Sequence, residues 1–124
     1  MSAYAGSPTA AYQQQSVLTA PRERLVVMLY DGCLRFLHQA AHAMRAGDAL
    51  AADGRLRRAE AIIDELLATL DHDRGGVIAS RLQGIYVFCR RQLLDARRDR
   101  DAGLIDKVSK LLGELRDAWA AVAP

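Results

Sequence analysis

Residues Leu25 to Leu37 read LVVMLYDGCLRFL, a stretch that is apolar on more than one side of a helix. A helix at the surface of a small bundle needs only one apolar stripe. One stripe at helical spacing contains Leu25, Leu29, Cys33, Phe36 and Leu37. A second begins on the neighbouring side with Val27, Met28, Tyr30 and Leu34. We therefore predict that this helix lies at the centre of the molecule or offers part of its surface to a partner.

The length and composition indicate one folded, mostly helical domain. The chain has 124 residues, 51% of them hydrophobic and 26% charged, which is the balance of a soluble globular protein rather than a disordered one. Residues 1–19 are small and polar, and we expect them to form a flexible leader. Residues 20–124 are expected to form the folded domain.

The spacing of apolar residues predicts three further helices. Pro21 suits a first helical turn, Asp48 and Asp101 are placed to cap the second and fourth helices, and Asp71 to Gly76 is predicted to be a turn. Short connections favour antiparallel neighbours, so the predicted fold is all-α, an antiparallel up-down four-helix bundle. The predicted helices run from about Pro21 to Arg45, Asp48 to Leu70, Val77 to Arg98 and Ala102 to Val122.

Each of the three later helices carries an apolar stripe that is expected to face the core. Trp119 is expected to close one end of the bundle. The predicted core residues are Leu56, Ala59, Ile63, Leu66 and Leu70 in the second helix; Ile78, Leu82, Ile85, Cys89 and Leu93 in the third; and Leu104, Val108, Leu111, Leu115, Trp119 and Val122 in the fourth.

The sequence contains no recognisable catalytic or cofactor-binding pattern. Helix bundles that hold two iron ions use inward-facing Glu-x-x-His pairs, and none occurs here. His38 and His42 share a helical face, but no third metal ligand has a suitable spacing, and neither is followed by the lysine and glycine of phosphotransfer histidines. No nucleophile–base pair or phosphate loop is present. We therefore predict that the protein is not an enzyme and that it has no catalytic residue, metal or cofactor.

The sequence also predicts a cytoplasmic protein that does not insert into a membrane. Its first residues lack the basic flank and apolar core of a secretory signal, and no apolar run reaches membrane-spanning length. Cys33 and Cys89 lie in separate apolar runs without a CxxC motif, which is typical of buried thiols in a reducing compartment.

Arginines cluster in two places, around Arg55 to Arg58 and from Arg90 to Arg100. Acidic residues are interleaved with both clusters, and the net charge is only +2. Nucleic-acid-binding domains are usually more basic, so a solvated face with salt bridges is the favoured interpretation, and nucleic acid is not a predicted partner. A basic helical-bundle regulatory or nucleic-acid-binding protein remains the alternative function.

A bundle with surplus apolar surface and no catalytic site favours binding of an amphipathic segment from another protein. Tyr30 can present its ring to this partner or fix its helix through the hydroxyl, and Asp31 can accept a hydrogen bond that fixes a neighbouring helix. The groove candidates, which are expected to lie beside the core stripes, are Ile62, Leu67, Tyr86 and Leu94. The predicted partner-binding residues are Tyr12, Val17, Leu18, Met28, Tyr30, Asp31, Ile62, Leu67, Tyr86 and Leu94.

The order of several motifs resembles the FliS family of flagellar secretion chaperones. The most recognisable string is LVVMLYDG, from Leu25 to Gly32, and the resemblance covers nearly all of the chain after about Ala11. The other matching segments are Tyr12-Gln13-Gln14, Ser16-Val17-Leu18-Thr19-Ala20, Arg58-Ala59, Ile62-Ile63, Glu65-Leu66, Leu70-Asp71, Gly75-Gly76, Leu82, Tyr86, Leu111, Leu115-Arg116 and Ala118-Trp119.

This resemblance implies a bundle that binds the disordered C-terminal segment of flagellin on outer apolar grooves, where the segment becomes helical. It implies that such binding prevents premature filament assembly in the cytosol and helps delivery to the export gate protein FlhA. The N-terminal stretch around Tyr12 is expected to influence partner binding and to cover the groove in the free protein. Whether the free protein forms a homodimer is left open.

Overall fold

The computed structural model describes residues 21–123, and the fold is given for that part of the chain. It contains four α-helices: α1 (Arg22–Arg45), α2 (Ala49–Ala68), α3 (His72–Asp99) and α4 (Ala102–Val122). No β-strand occurs within these residues, which confirms the predicted all-α class. The predicted leader, residues 1–19, lies outside the described residues.

Aspartate caps begin three of the four helices, because a carboxylate before a helix accepts a hydrogen bond from an N–H without a partner in the helix. The Asp48 carboxylate accepts from the backbone N–H of Ala51 at 3.1 Å, and Asp101 accepts from that of Gly103 at 2.9 Å. Both predicted caps are confirmed. α1 begins differently, after Pro21, which makes no side-chain capping bond.

The start of α3 differs from the prediction. The Asp71 carboxylate accepts a hydrogen bond from the Arg74 N–H at 3.1 Å, so a helical turn forms where a turn between helices is predicted. Gly76 then leaves the helical conformation, with φ of 49° and ψ of −119°, a region open to glycine because it has no Cβ. α3 therefore begins five residues before the predicted start at Val77, and the predicted start marks the part of α3 that follows the kink at Gly76.

The helices form a closed ring in which each contacts the previous and the next, with α4 beside α1. Between α1 and α4, Asp31 pairs with Arg116 while Arg45 pairs with Asp106, so the two helices run in opposite directions. The other neighbouring helices show the same reversal, which confirms the antiparallel four-helix bundle. The contacts that show it are Arg22–Thr69 and Cys33–Ala59 between α1 and α2, and Asp53–Arg100 and Asp64–Arg90 between α2 and α3.

The long apolar helix α1 supplies the centre of the core, which is the first of the two alternatives predicted for it. Its inward side is fully buried at Tyr30, Cys33, Leu37 and Ala40. α3 repeats the same residue types at the same spacing, with Tyr86, Cys89, Leu93 and Ala96 buried. Two helices that are not neighbours in the ring therefore meet across the core, and Tyr30 contacts Tyr86 directly.

Two residues that were predicted to face the core, at the ends of α3 and α4, are exposed instead. Ile78, which follows the kink, and Val122, the last residue of α4, are each 68% exposed. Within α4 the inward line includes Ile105 and Leu112, which are fully buried and were not predicted. The buried line is displaced by about one residue from the predicted stripe. The spacing alone could not distinguish them, because two adjacent lines on that helix are both apolar.

Candidate partner-binding surface

An apolar pocket opens at the end of the bundle where α1 and α3 begin and α2 and α4 end. Its volume is about 230 Å³, which is below the roughly 300–1,000 Å³ typical of pockets for small molecules and cofactors. A pocket of this size suits one or two side chains of a partner. Its apolar lining residues are Val26, Leu66, Leu70, Ile78, Leu82 and Trp119, and its charged ones are Arg22, Glu23, Asp71 and Arg74.

Two buried tyrosines meet beside this pocket. The hydroxyl oxygens of Tyr30 and Tyr86 are 2.5 Å apart. Burial is the main cause that raises the pKa of both phenols above the ordinary value of 10.0. Both hydroxyls are therefore neutral at physiological pH, and they connect α1 to α3 through the core.

The outer side of α3 carries the largest group of exposed apolar side chains in the described chain. Val87 and Leu94 are two helical turns apart on one line, and Val77 and Phe88 are three turns apart on another. Gly84 lies between the two lines, and no atom lies within 4 Å of the position that a Cβ on it would take. We call Val77, Gly84, Val87, Phe88 and Leu94 the α3 outer face; its four side chains are between 43% and 66% exposed.

A second apolar surface follows the seam between α1 and α2. Leu25 and Leu29 line a depression of about 330 Å³ near the start of α1. Further along, the Cδ1 atom of Ile62 lies 3.5 Å from the position that a Cβ on Gly32 would take, so the glycine brings the two helices into contact. Phe36 follows one turn later and is half-buried. We call Leu25, Leu29, Gly32, Phe36 and Ile62 the α1–α2 seam.

Between α2 and α3, by contrast, the contact is made by ion pairs. Glu60 is buried, and its carboxylate accepts hydrogen bonds from Arg97 at 2.6 Å and contacts Arg90 at 2.8 Å. Hydrogen bonds from Arg100 are the main cause that lowers the pKa of Asp53. The cluster from Arg90 to Arg100 is therefore largely neutralised within the chain rather than presented as a basic face. Further pairs are Arg90–Asp64, Arg97–Asp53, Arg98–Asp95 and Arg98–Asp99.

Comparison with known proteins identifies this arrangement. A family model described as "Flagellar protein FliS" matches residues 5–124. The chain belongs to the FliS family. This confirms the resemblance drawn from the sequence motifs and places the chain in a family of flagellar secretion chaperones that act in protein export and flagellum assembly, not in a family of enzymes.

Three relatives illustrate how far the similarity extends. The flagellar secretion chaperone FliS of Bacillus subtilis is 36% identical over 113 residues, which is 91% of this chain and 84% of the relative. That of Salmonella typhimurium is 36% identical over 126 residues, 98% of this chain and 93% of the relative. The flagellar secretion chaperone FliSB of Pseudomonas aeruginosa is 33% identical over 124 residues, 97% of this chain and 98% of the relative.

The candidate residues of α1 fall into different environments. Met28 is exposed, whereas Tyr30 is fully buried and cannot present its ring at the surface in this conformation. Of its two predicted roles, the hydroxyl contact across the core is the one observed. Asp31 accepts a hydrogen bond from Nε of Arg116 at 2.8 Å, which confirms that it fixes a neighbouring helix.

The candidates of α2 and α3 are divided between surface and core. Ile62 and Leu67 are half-buried beside the core, and Leu94 is exposed, as expected of groove residues. The prediction that Tyr86 lies beside the core stripe is wrong, because its hydroxyl meets that of Tyr30 and its ring can therefore be buried. Trp119, predicted to be core, is half-buried against the core and lines the end pocket.

Three predicted partner-binding residues remain to be placed, and two exposed apolar residues of α3 were not predicted. Tyr12, Val17 and Leu18 lie outside the described residues, so their predicted role stays a prediction. Sequence reasoning missed the exposure of Val87 and Phe88. The residue spacing in the sequence could have shown this exposure, because both residues lie opposite the buried line of Leu82, Cys89 and Leu93 on a helical projection.

Two further observations concern the described part of the chain. None of the four helices is both long enough and apolar enough to span a bilayer. Among residues 21–123, no three His, Cys, Asp or Glu side chains are grouped so that they could hold a metal ion.

Proposed function

We propose that this protein binds the disordered C-terminal segment of flagellin in the cytoplasm, prevents its premature polymerisation and assists its delivery to the export gate protein FlhA. Membership of a secretion chaperone family supports a flagellin-type partner. The structural observation that carries the proposal is the α3 outer face, where large apolar side chains stay exposed although the bundle already has a complete core.

The shape of the α3 outer face suits a helical partner segment. Gly84 adds no side chain between the two apolar lines, so a partner helix can approach the α3 backbone at this residue. Binding a disordered segment requires that it be ordered, which costs several kcal/mol, about 2–5 or more. A long apolar contact is needed to offset this cost, and the end pocket and the α1–α2 seam offer further contacts for the same segment.

Several parts of this proposal rest on the family resemblance. Tyr12, Val17 and Leu18 are included as partner-binding residues on that ground, together with delivery to FlhA. Met28 and Leu67 are included because their side chains are at least partly accessible beside the apolar surfaces. Tyr30 and Tyr86 contribute indirectly because they connect α1 to α3 across the core, and Asp31 because it pairs α1 with α4.

The alternative function, nucleic-acid binding through the arginines of α3, is less well supported. Arg90, Arg97 and Arg100 are paired with acids of α2, so few of these charges are free to contact phosphates. A steep fall in affinity for DNA or RNA with increasing salt is the signature of phosphate contacts. We expect weak binding to an oligonucleotide with a flat salt response near physiological salt.

The proposed function is tested by titrating the full chain with a peptide of the C-terminal segment of flagellin from the same organism. We expect micromolar or tighter binding and a gain of helicity by circular dichroism. The double variant Phe88→Ser/Leu94→Ser is expected to bind at least about tenfold more weakly, because it removes two apolar side chains that the bound segment would bury.

A matched control uses an exposed apolar residue elsewhere. Leu50 is 84% exposed near the start of α2 and is not part of the α3 outer face, so Leu50→Ser is expected to leave the affinity unchanged. No binding of the peptide to the wild-type chain contradicts the proposed function. Equal losses for Leu50→Ser and the double variant contradict the assignment of the surface.

A further inference from the structure

Two arginines of α2 are held against an aromatic ring of α1. The guanidinium carbon of Arg55 lies 6.0 Å from the centroid of the Phe36 ring, and that of Arg58 lies 5.9 Å from it. These distances are within the range of cation–π attraction, about 6 Å. Phe36 is half-buried in the α1–α2 seam, and the side chains of Arg55 and Arg58 are exposed.

These two guanidinium groups differ from the other arginines that join helices. Arg45, Arg90, Arg97, Arg100 and Arg116 each contact a carboxylate on a neighbouring helix. Within residues 21–123, neither Arg55 nor Arg58 forms an ion pair or a hydrogen bond, and their contact with Phe36 is the one that the structure records. Their hydrogen-bond donors are therefore available to a ligand.

The rest of the sequence offers no acidic side chain to this pair. The first twenty residues contain neither aspartate nor glutamate. Val122 ends α4 at the end of the bundle where α1 begins, whereas Phe36 lies in the second half of α1. Because no carboxylate of residues 21–123 pairs with Arg55 or Arg58, both are open to a carboxylate of another molecule.

We propose that Phe36, Arg55 and Arg58 form a binding site for a carboxylate side chain of the partner segment. A planar guanidinium that stacks on an aromatic ring keeps its N–H edge free to bind a carboxylate through two parallel hydrogen bonds. This inference rests on the proposed function, because its ligand is an aspartate or glutamate of the flagellin segment that lies along the α1–α2 seam.

The seam also fixes where this acidic residue lies in the partner. Leu29 lines the apolar depression and precedes Phe36 by two helical turns, which is a distance of about 10 Å. A helical partner segment that places an apolar side chain in the depression therefore carries its acidic side chain about two turns away.

The test is a titration of the full chain with the flagellin C-terminal peptide at two salt concentrations. Arg55→Gln/Arg58→Gln is expected to weaken binding at least about tenfold, since hydrogen bonds to charged groups are lost, and to reduce the salt dependence of the affinity. Arg55→Lys/Arg58→Lys keeps both charges without the planar fork and is expected to show an intermediate loss.

Arg57→Gln is the matched control, because it removes the same charge from the same helix at a residue that does not stack on Phe36. We expect it to change the affinity less than twofold. On the peptide side, each Asp and Glu is changed to Asn or Gln in turn, and one such change is expected to reproduce the loss. That change should have no further effect in the Arg55→Gln/Arg58→Gln variant, and amidation of the peptide C-terminus should have none.

The outcomes separate this inference from the proposed function. If the peptide does not bind the wild-type chain, the proposed function fails and this inference fails with it. If the peptide binds and Arg55→Gln/Arg58→Gln has the affinity of the wild type, this inference alone is wrong. It is also wrong if Arg57→Gln causes an equal loss, if amidation alone reproduces the loss, or if the arginine pair affects only the binding of an oligonucleotide.

Discussion

Helices α1 and α3 carry similar buried residues but attach to the bundle in different ways. Both place a tyrosine, a cysteine and a leucine in the core at the same spacing. α1 meets α2 along the apolar α1–α2 seam, and it is joined to α4 by the exposed pairs Asp31–Arg116 and Arg45–Asp106. α3 is joined to α2 by a chain of ion pairs, while Val87, Phe88 and Leu94 face outward. The surplus apolar surface that the α1 sequence suggested is found mainly on α3.

This difference separates the residues that hold the fold from those available to a partner. An apolar side chain in the core contributes to stability, whereas an exposed one contributes little until a partner covers it. By using ion pairs to join α3 to α2, the chain keeps apolar side chains of α3 free for its outer face. Each of the following predictions tests this division.

The largest effect is expected from the same substitution made in both helices. Leu37→Ala in α1 removes a fully buried side chain and is expected to lower the free energy of unfolding by about 2–5 kcal/mol. Leu94→Ala in α3 is expected to lower it by less than about 0.5 kcal/mol, because that side chain is mostly exposed. Urea unfolding followed by circular dichroism measures both. Equal losses would show that the two helices are not divided in this way.

The next effect concerns the ion pairs between α2 and α3. Glu60→Ala leaves Arg90 and Arg97 without their buried partner, and we expect a loss of about 2 kcal/mol, less than for a fully buried pair because both arginines are partly exposed. Asp64→Ala removes an exposed partner of Arg90 and serves as the control, with an expected loss below about 1 kcal/mol. A result in which Glu60→Ala is no worse than Asp64→Ala contradicts a structural role for the buried pair.

A smaller effect is expected at alkaline pH. Burial raises the pKa of the Cys33 thiol to about 12 and that of Cys89 to about 11, from an ordinary value of 9.0. Because the folded chain resists ionisation of these thiols, their contribution to stability is complete below pH 9 and is lost as the pH rises through the folded values. At pH 10, one unit above the ordinary pKa, a single thiol with these values accounts for a loss of about 1.4 kcal/mol.

This dependence is measured by urea unfolding between pH 8 and pH 11. Cys33→Ala is expected to flatten the fall in stability more than Cys89→Ala, because the pKa of Cys33 is raised further. The same slope in both variants and in the wild type would show that these thiols do not control the alkaline loss.

The smallest effect is expected at two helical glycines. Gly84→Ala in α3 places a methyl group in open space and is expected to raise stability by about 0.5–1 kcal/mol through helix propensity. Gly32→Ala in α1 places its methyl 3.5 Å from Ile62, which is ordinary van der Waals contact, so its gain should be at least as large because the methyl is also buried. Thermal unfolding of both variants tests the order, and a loss of stability at Gly32 would contradict it.

The parts of the structure that were predictable depend on interactions within a few residues of chain. Asp48 and Asp101 cap helices by bonding N–H groups two or three residues away, so their roles follow from the sequence. The burial of Tyr86 depends on Tyr30, which is distant in sequence, and could not be read locally. Ile78 is apolar and correctly spaced, but it lies in the first turn after the kink at Gly76 and lines the end pocket, so its side chain borders open space.

The candidate site was predictable only in part for the same reason. Leu94 and Ile62 were correctly placed beside the core because the helical projection separates them from the buried stripes. The stack of Arg55 and Arg58 on Phe36 joins two helices, and its significance depends on the absence of a nearby carboxylate in the described residues. The motif order around Leu25 to Gly32 indicated the family, but not which helix carries the exposed apolar face.

The most direct test of the account is hydroxyl-radical footprinting of the full chain with and without the flagellin C-terminal segment. We expect the segment to reduce the oxidation of Phe88 and Leu94 on the α3 outer face and to leave that of Leu50 unchanged, because Leu50 is exposed outside the proposed surface. A complex in which Phe88 and Leu94 are oxidised as in the free protein would contradict the claim that the apolar exterior of α3 binds the partner.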